Sequence, residues 1–466
     1  MVLGFARQKH DLVLLASLFL LELSVAVIAM AMYMKGERPF FLFLSSKPGM
    51  VFVMMVGAAL IAIVLLMVQY QANTRSQSSH FRLIVTMNIV TVMLILITGE
   101  MATRMLSRSS IEGEKLGGAV LLPKSWRALT LHNQQLLNKA AGHPTFHVYD
   151  DVLGWTVGPN RQSADGLYYS SFEGIRAPHE GLSFAKPTKK TRIALVGDSY
   201  TFGEDVVYEN TWGHFLEKAL GPEFEVLNFG VPGYGLDQAY LRYEKDVQEW
   251  KPKIVILSFI AHDIERTMTV YTSLNYPAWD MPFSKPRFLV KNGDLKRLNI
   301  PPLKPEAIFS RGSISSLPFL DYDRGYRERD WQQNVLHSSY LARAFFTWLP
   351  RWQVVSPDVT EEALTSVNAA ILKAFVASTE RIAAIPLVVY HPKRALDAVP
   401  NSSLSRRVLQ ESGVSYSEPT SCLQELNPDD WFISQGHYTP EGNAAVAKCL
   451  VNVVRQTLGQ SPVSQG

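Results

Sequence analysis

The chain has 466 residues, enough for two or three units of ordinary domain size, and 47% of them are hydrophobic. Its 45 Lys and Arg residues nearly balance 42 Asp and Glu residues, and the net charge of +3 argues against a dedicated nucleic-acid-binding protein. Only two cysteines occur, Cys422 and Cys449, which excludes a zinc site built from several cysteines. The sequence leaves open whether they form a disulfide in an oxidising compartment or remain two buried thiols.

Apolar residues are concentrated at the front of the chain. Three long apolar runs lie there, at residues 12–34, 50–68 and 83–99. Since a bilayer core needs about 20 apolar residues, we predict three transmembrane helices and assign residues 1–105 to a membrane domain. Glu22 and Glu100 lie within or at the edge of these runs, where a carboxyl usually faces another helix or a cavity. The partners predicted for this segment are a membrane and, in contact with the helices, a membrane protein.

A mixed polar stretch at residues 106–146, with one helical pattern near 126–140, is interpreted as a linker. The aromatic and turn-rich residues that follow, 147–155 and 171–176, are interpreted as an extended arm with a structural role. From residue 192 onward, short apolar runs alternate with helical patterns. The predicted strands lie at 192–196, 225–229, 254–259 and 386–390, and the predicted helices at 210–220, 236–250 and 361–384. Such alternation predicts an α/β fold with a parallel sheet.

The alternation fails at residues 271–348, a span rich in proline and aromatic residues. Residues 288–298 predict a hairpin, because Asn292-Gly293 suits a two-residue type I′ turn. An insertion of this size can form a lid, an acceptor surface or a packing excursion, and the sequence does not separate these alternatives.

Glycine and polar residues follow three of the predicted strands and open the last helix. The blocks are Gly197-Asp198-Ser199, Gly230-Val231-Pro232-Gly233, Ala261-His262-Asp263 and Gly436-His437-Tyr438-Thr439. In this order they resemble the SGNH (GDSL-type) hydrolase superfamily, in particular a membrane-anchored branch of polysaccharide O-acetylesterases and acetyltransferases. The resemblance covers residues 147–460, leaves 461–466 as a tail, and implies a three-layer α/β domain.

Ser199 is the candidate nucleophile, because it follows a strand at the edge of the sheet where ligands bind in α/β folds. A serine hydroxyl needs a base within about 2.6–3.2 Å. His437 is the candidate base, since histidine titrates near neutral pH. The resemblance implies that the oxyanion is held by backbone N–H groups of Ser199 and Gly233 and by an Asn side chain.

His262 stands where the family has that Asn. A neutral imidazole can still donate one hydrogen bond, although the loss of one oxyanion donor can lower a rate by about 10²–10³. Asp198 is predicted to brace the turn beside the nucleophile. Asp263 is predicted to be structural and paired with Arg266.

The acid that orients the base is displaced in this chain. The family places an Asp two or three residues before the His, where this chain has Gln435 and Ser434. The nearest carboxylates are Asp429 and Asp430, and we predict Asp430 as the orienting acid. A Ser–His dyad with a main-chain carbonyl behind the imidazole is the alternative.

Together these features predict a membrane-anchored serine acyl esterase or O-acyltransferase of the SGNH type, acting on acyl esters of glycans, foremost acetyl esters. One alternative is a catalytically degenerate domain that binds a glycan or a partner. In a second alternative, the predicted membrane helices carry out the function of the protein. No metal or cofactor site is predicted, since neither a dinucleotide fingerprint nor a phosphate-binding loop occurs. The resemblance favours a large domain outside the cytoplasm, whereas the Lys and Arg residues that flank the apolar runs slightly favour the inside.

Overall fold

The computed structural model describes residues 79–186, 188–348, 356–392, 403–433 and 436–459. The chain divides into two compact units. The first is Met1–Leu129 with Arg327–Gln353, and the second is Thr130–Tyr326 with Val354–Gly466. The second unit therefore takes in most of the predicted 147–460 domain, while the end of the predicted insertion belongs to the first.

A five-stranded parallel sheet forms the centre of the second unit. Its strands are β1 (Thr191–Val196), β2 (Phe224–Asn228), β3 (Ile254–Phe259), β4 (Ile385–Tyr390) and β5 (Tyr416–Ser417), in the spatial order β5-β4-β3-β1-β2. Every neighbouring pair is parallel. All six residues of β3 are buried, as expected for a strand covered on both faces. The prediction of an α/β fold with a parallel sheet is confirmed.

The sheet separates two hydrophobic cores, because successive residues of a buried strand point to opposite faces. Ala194 and Val196 of β1 belong to one core, and Ile193 and Leu195 belong to the other. The main helices of the first core are Leu236–Arg242 and Glu361–Arg381, and those of the second are Trp212–Leu220 and Pro440–Thr457. Helices thus cover both faces of the sheet in a three-layer arrangement.

Shorter elements complete the second unit. The remaining α-helices are Ser199–Phe202, Ala261–Arg266, Thr272–Asn275, Pro305–Phe309, Leu404–Ser412 and Thr420–Leu423. The remaining strands pair as His147–Asp150 with Gly154–Val157, Tyr169–Ser170 with Arg176–Ala177, and Arg287–Lys291 with Asp294–Leu298. In the last pair, Asn292 and Gly293 have φ values of 55° and 84°, so the predicted hairpin and its turn residues are confirmed.

The first unit is built around the helices Ser79–Leu106 and Tyr340–Trp348 and a small antiparallel sheet. The strands of this sheet are Arg108–Ser110, Gly113–Leu116 and Ala119–Val120. Arg343 connects the second helix to the chain after the sheet: its guanidinium donates to the carbonyls of Leu121 and Leu122 at 2.9 and 3.2 Å. The helix Trp126–Ala140, predicted near 126–140, contains the point where the chain passes into the second unit.

The prediction of three transmembrane helices is contradicted. Among the described residues, no helix combines the length and apolar character that crossing a bilayer requires. The third predicted span, 83–99, falls in the helix Ser79–Leu106. The last turns of this helix bind a polar partner: the Glu100 carboxylate accepts hydrogen bonds from the Tyr340 and Leu341 N–H groups at 3.0 and 2.9 Å. The first two predicted spans, 12–34 and 50–68, lie outside the described residues.

Glu100 is an anionic cap for the helix Tyr340–Trp348. Burial alone raises the pKa of its carboxyl, but the N–H of Leu341, the Ser339 hydroxyl and further donors lower the pKa to about 2. A carboxylate at a helix N-terminus is favourable because it accepts from N–H groups that have no partner within the helix.

A buried ion pair anchors the predicted insertion to the helix Leu236–Arg242. Lys285 Nζ lies 2.5 Å from Asp237 Oδ2, and both side chains are inaccessible to solvent. Burial raises the pKa of Asp237 and lowers that of Lys285. Removing one member of such a pair leaves an uncompensated buried charge, which costs far more than losing the pair as a whole.

We therefore expect Lys285→Met to lower the free energy of unfolding by about 3–5 kcal/mol. The double variant with Asp237→Leu should recover most of that loss, because neither charge of the pair then remains buried. Lys448→Met is the matched control, since Lys448 and its partner Glu425 are both about half exposed, and it should cost no more than about 1 kcal/mol. Urea unfolding followed by circular dichroism measures all three. Equal costs for Lys285→Met and Lys448→Met would contradict this account.

Candidate active site

The candidate nucleophile lies in a tight turn directly after β1. Ser199 is the first residue of the helix Ser199–Phe202, and Asp198 caps this helix by accepting a hydrogen bond from the Tyr200 N–H at 2.9 Å. Asp198 thus braces the turn, as predicted. Only glycine fits at position 197, because a Cβ there would lie 2.4 Å from the Ser258 carbonyl oxygen of β3. The close approach of the two chains therefore fixes the point at which the chain leaves β1 and enters the turn that carries Ser199.

The structure brings Ser199 and His437 together, 238 residues apart in the chain, with His437 Nε2 2.9 Å from Ser199 Oγ. The histidine precedes the helix Pro440–Thr457, which Thr439 caps by accepting from the Gly442 N–H at 2.9 Å. The Tyr200 hydroxyl donates to the Gly436 carbonyl, so the residue after the nucleophile holds the loop that carries the base.

The acid beside the imidazole is Asp205, whose Oδ2 lies 2.6 Å from His437 Nδ1. A carboxylate at Nδ1 holds the proton on that nitrogen, which leaves Nε2 free to accept the proton of Ser199. The backbone of Asp205 is left-handed, with φ of 68°, a conformation that Asp tolerates better than most residues. Ser199, His437 and Asp205 therefore form one continuous chain of hydrogen bonds.

Asp430, the acid predicted from the sequence, does not hold this position. It ends a one-turn helix, Pro428–Asp430, and its main-chain carbonyl accepts a hydrogen bond from the Thr439 hydroxyl. The prediction failed because it looked for the acid near the histidine, as in the family pattern. The available signal was the pair Glu204-Asp205, two carboxylates directly after a glycine that reverses the chain behind the nucleophile.

That reversal is visible in the backbone after the short helix. Gly203 has φ of 78° and ψ of 56°, and its N–H donates to the Ser199 carbonyl. The Glu204 N–H donates to the same carbonyl at 3.0 Å. The chain thus turns back toward Ser199, and residues 204 and 205 reach the histidine.

The predicted arm, residues 147–155 and 171–176, and the chain between its two parts also hold the acid in place. The Tyr168 hydroxyl accepts a hydrogen bond from the Asp205 N–H at 2.8 Å. Arg176 donates to the Val206 carbonyl at 3.0 Å. Its guanidinium lies 4.7 Å from the centres of both the Tyr168 and the Phe202 rings. The arm was interpreted as structural, and these contacts show that what it supports is the backbone of the acidic loop.

Glu204 adds a second carboxylate at the base, with its Oε2 3.5 Å from His437 Nε2. Burial raises the pKa of Glu204. The two side chains are about one quarter exposed, 20% for His437 and 30% for Glu204, so this face of the site is open to solvent. Sequence reasoning did not single out Glu204.

The predicted oxyanion donors lie on loops at the carboxyl edge of the sheet. Gly233, with φ of 80°, follows β2 in a loop anchored to the nucleophile turn, where the Val231 N–H donates to the Gly197 carbonyl at 3.1 Å. His262 is exposed, in the first turn of the helix Ala261–Arg266 after β3. The roles of Gly233 and His262 as oxyanion donors stay predictions.

A buried charge cluster joins these loops beneath the nucleophile. Arg266 Nη1 lies 2.6 Å from Asp263 Oδ1 and 3.6 Å from Asp198 Oδ2, and it donates to the Tyr234 carbonyl at 3.1 Å. The predicted ion pair of Asp263 with Arg266 is confirmed. Burial, with the nearby Asp198 carboxylate, raises the pKa of Asp263. One guanidinium therefore connects the turns that follow β1, β2 and β3.

The two cysteines form a disulfide, which settles the alternative that the sequence left open. Cys422 and Cys449 have Cα atoms 5.8 Å apart. The bond joins the helix Thr420–Leu423 to the helix Pro440–Thr457. Since the second helix begins three residues after His437, the disulfide fastens the element that follows the base.

A hydrogen-bonded Ser–His–Asp chain is the arrangement that serine hydrolases use, on this and on unrelated folds. No family model and no curated protein matches this chain. Among solved structures, a protein of the G-D-S-L family from Desulfitobacterium hafniense, described as lipolytic, is 16% identical with a TM-score of 0.30, over 57% of this chain and 99% of its own.

Two further matches are esterases. An acetylxylan esterase from Geobacillus stearothermophilus is 13% identical with a TM-score of 0.31, over 60% of this chain and 100% of its own. A two-domain esterase active on acetylated mannans is 13% identical with a TM-score of 0.30, over 60% of this chain and 53% of its own. The matched structures include members of the superfamily that the sequence resembles.

Proposed function

We propose that the second unit is a serine ester hydrolase of the SGNH type that cleaves acyl esters of glycans. The observation that carries the proposal is the chain of two hydrogen bonds, from Ser199 to His437 at 2.9 Å and from His437 to Asp205 at 2.6 Å. It supplies a nucleophile, a base and an acid that fixes the tautomer of the base.

The first half of the reaction transfers the acyl group to the protein. The proton of Ser199 Oγ moves to His437 Nε2 as Oγ attacks the ester carbonyl carbon. The tetrahedral oxyanion then collapses, the bond from the carbonyl carbon to the alcohol oxygen breaks, and the imidazolium returns its proton to that oxygen. Asp205 stays ionised and stabilises the imidazolium. The products are the free alcohol and an acyl-serine.

The second half removes the acyl group. Water gives one proton to His437 Nε2 while its oxygen attacks the acyl carbon, and the imidazolium then reprotonates the leaving Ser199 oxygen. A sugar hydroxyl in place of water gives O-acyl transfer through the same acyl-serine. Hydrolysis and transfer thus differ only in the acceptor.

A sugar ester as substrate is supported by the surroundings of Gly233. The rings of Tyr276 and Trp279 stack with their centres 4.0 Å apart and 9° between their planes. Both side chains are partly exposed, and Trp279 comes within 3.4 Å of the position that a Cβ on Gly233 would occupy. Aromatic surface with a polar edge suits a ligand that has both apolar and hydroxyl-bearing sides.

The rival proposal, a degenerate binding domain, rested on the missing Asn and the displaced acid. Asp205 removes the second of these reasons. The disulfide between Cys422 and Cys449 supports placing this unit in an oxidising compartment, because disulfides persist there and are rare in the cytosol.

The experiment supplies the full-length protein with p-nitrophenyl acetate and with acetylated xylo- and manno-oligosaccharides. We expect release of p-nitrophenol and acetate, and an acetyl adduct on Ser199 detected by mass spectrometry of rapidly quenched digests. Ser199→Ala, which lacks the nucleophile, is the negative control. Release that persists in this variant, or an adduct on another residue, would defeat the proposal. Turnover of p-nitrophenyl acetate without any action on the acetylated sugars would defeat the glycan part alone.

A further inference from the structure

The catalytic base faces a carboxylate at each of its two ring nitrogens. Asp205 Oδ2 lies 2.6 Å from His437 Nδ1, and Glu204 Oε2 lies 3.5 Å from His437 Nε2. A Ser–His–Asp site needs only the first of these contacts. Glu204 is therefore a charged group at the reacting nitrogen that the proposed mechanism does not use.

The effect of Glu204 depends on the protonation state of the histidine. In the resting state, Nε2 is unprotonated and accepts a hydrogen bond from Ser199 Oγ. It therefore has no N–H that could donate to the Glu204 carboxylate. Once Nε2 has taken the serine proton, the ring is a cation, and the carboxylate attracts it. Interactions that strengthen as the reaction proceeds raise kcat, whereas those present throughout do not.

The backbone of Glu204 is fixed by the nucleophile turn itself. Its N–H donates to the Ser199 carbonyl at 3.0 Å, so the carboxylate is held by the same turn as the hydroxyl. The charged groups that face Glu204 are His437, Asp205, Asp198 and Arg266. Burial, Asp205 and Asp198 raise the pKa of Glu204, while His437 and Arg266 lower it, with a net increase. As the pH falls, the Glu204 carboxylate therefore becomes protonated at a higher pH than an ordinary glutamate does.

We propose that Glu204 is a positioning residue that stabilises the His437 imidazolium from the Nε2 side during acyl transfer to and from Ser199. The inference rests on the proposed function, because it needs His437 to act as a base. It adds a second carboxylate to the site, supplied by the residue next to Asp205.

The test compares Glu204→Gln, which keeps the shape and removes the charge, with Glu204→Asp, which keeps the charge at shorter reach. Glu209→Gln is the matched control, since Glu209 is exposed and lies five residues further along the same segment. For p-nitrophenyl acetate we expect Glu204→Gln to lower kcat about tenfold, with KM changed by no more than about twofold. Glu204→Asp should retain an intermediate rate, and Glu209→Gln should behave as the wild type.

The pH profile separates a charge effect from a structural one. Removal of a negative neighbour makes the protonated histidine less favourable, so the acidic limb of kcat/KM should move to lower pH in Glu204→Gln and not in Glu209→Gln. Thermal unfolding midpoints check that all variants fold alike. An unchanged kcat, an equal loss in Glu209→Gln, or a loss without movement of the acidic limb overturns the inference.

The two proposals fail in different ways. If the wild type does not release p-nitrophenol, or if release survives Ser199→Ala, the proposed function fails and this inference fails with it. If p-nitrophenol release depends on Ser199 but does not change when the charge at position 204 is removed, the proposed function stands and only this inference fails.

Discussion

Ser199→Ala is expected to lower kcat for p-nitrophenyl acetate by about 10⁴- to 10⁶-fold, with little change in KM. Ser199 Oγ is the only part of the residue that reacts, and it is already hydrogen-bonded to His437 Nε2 at 2.9 Å. Alanine removes a single oxygen atom, and His437, whose Nε2 loses this partner, is 20% exposed and can bind water instead. Stability should therefore be nearly unchanged. Steady-state kinetics together with a thermal melt measures both quantities.

The matched controls are Ser421→Ala and the double variant of Ser199→Ala with His437→Ala. Ser421 is an exposed serine near the disulfide, and its loss should leave kcat unaltered. The double variant should be no slower than Ser199→Ala alone, because residues that act as one unit are not additive. A double variant that is slower by a further large factor would show that His437 acts independently of Ser199.

Local sequence, together with the resemblance to the SGNH superfamily, was enough to find Ser199 and His437. Each stands beside an element with a strong signal: a buried strand before Ser199, and the Thr439 cap with Pro440 at the first helical position after His437. The carboxyl ends of parallel strands share one edge of a sheet. This rule places Ser199 at the ligand-binding edge, and the resemblance implies that His437 lies beside it.

Asp205 escaped prediction because its role depends on a backbone reversal, which periodicity does not record. Gly203 takes a left-handed conformation, and the next residues run back along the nucleophile helix toward the histidine. The support from Tyr168 and Arg176 is a contact between segments about 30 residues apart. Such contacts follow from packing, which one sequence does not specify.

The fifth strand and the predicted membrane helices show two further limits. Tyr416–Ser417 is too short for an alternating pattern, so it becomes a strand only because it pairs with β4. Hydropathy counts apolar residues but not their partners. In the helix Ser79–Leu106, the apolar run dominates the hydropathy. The hydropathy does not show that Glu100 accepts hydrogen bonds from the N-terminus of the helix Tyr340–Trp348.

Asp205→Asn is expected to lower kcat by about 10²- to 10⁴-fold. The carboxylate accepts the proton of His437 Nδ1 at 2.6 Å. An Asn amide at this position can instead donate to Nδ1, which moves the ring proton to Nε2 and leaves no acceptor for the proton of Ser199. The imidazolium that forms during the reaction also loses its main counter-charge. Neither effect alters the packing, so the thermal midpoint should stay close to that of the wild type.

Asp430→Asn is the natural comparison, since Asp430 is the acid that the family pattern favours. Its main-chain carbonyl, not its carboxylate, is bound to Thr439, and kcat should change by less than about twofold. Steady-state kinetics on both variants decides between the two acids. A large loss in Asp430→Asn with full activity in Asp205→Asn would mean that Asp430 and His437 approach each other when substrate binds. The contact of Asp205 with the histidine would then belong to the resting state alone.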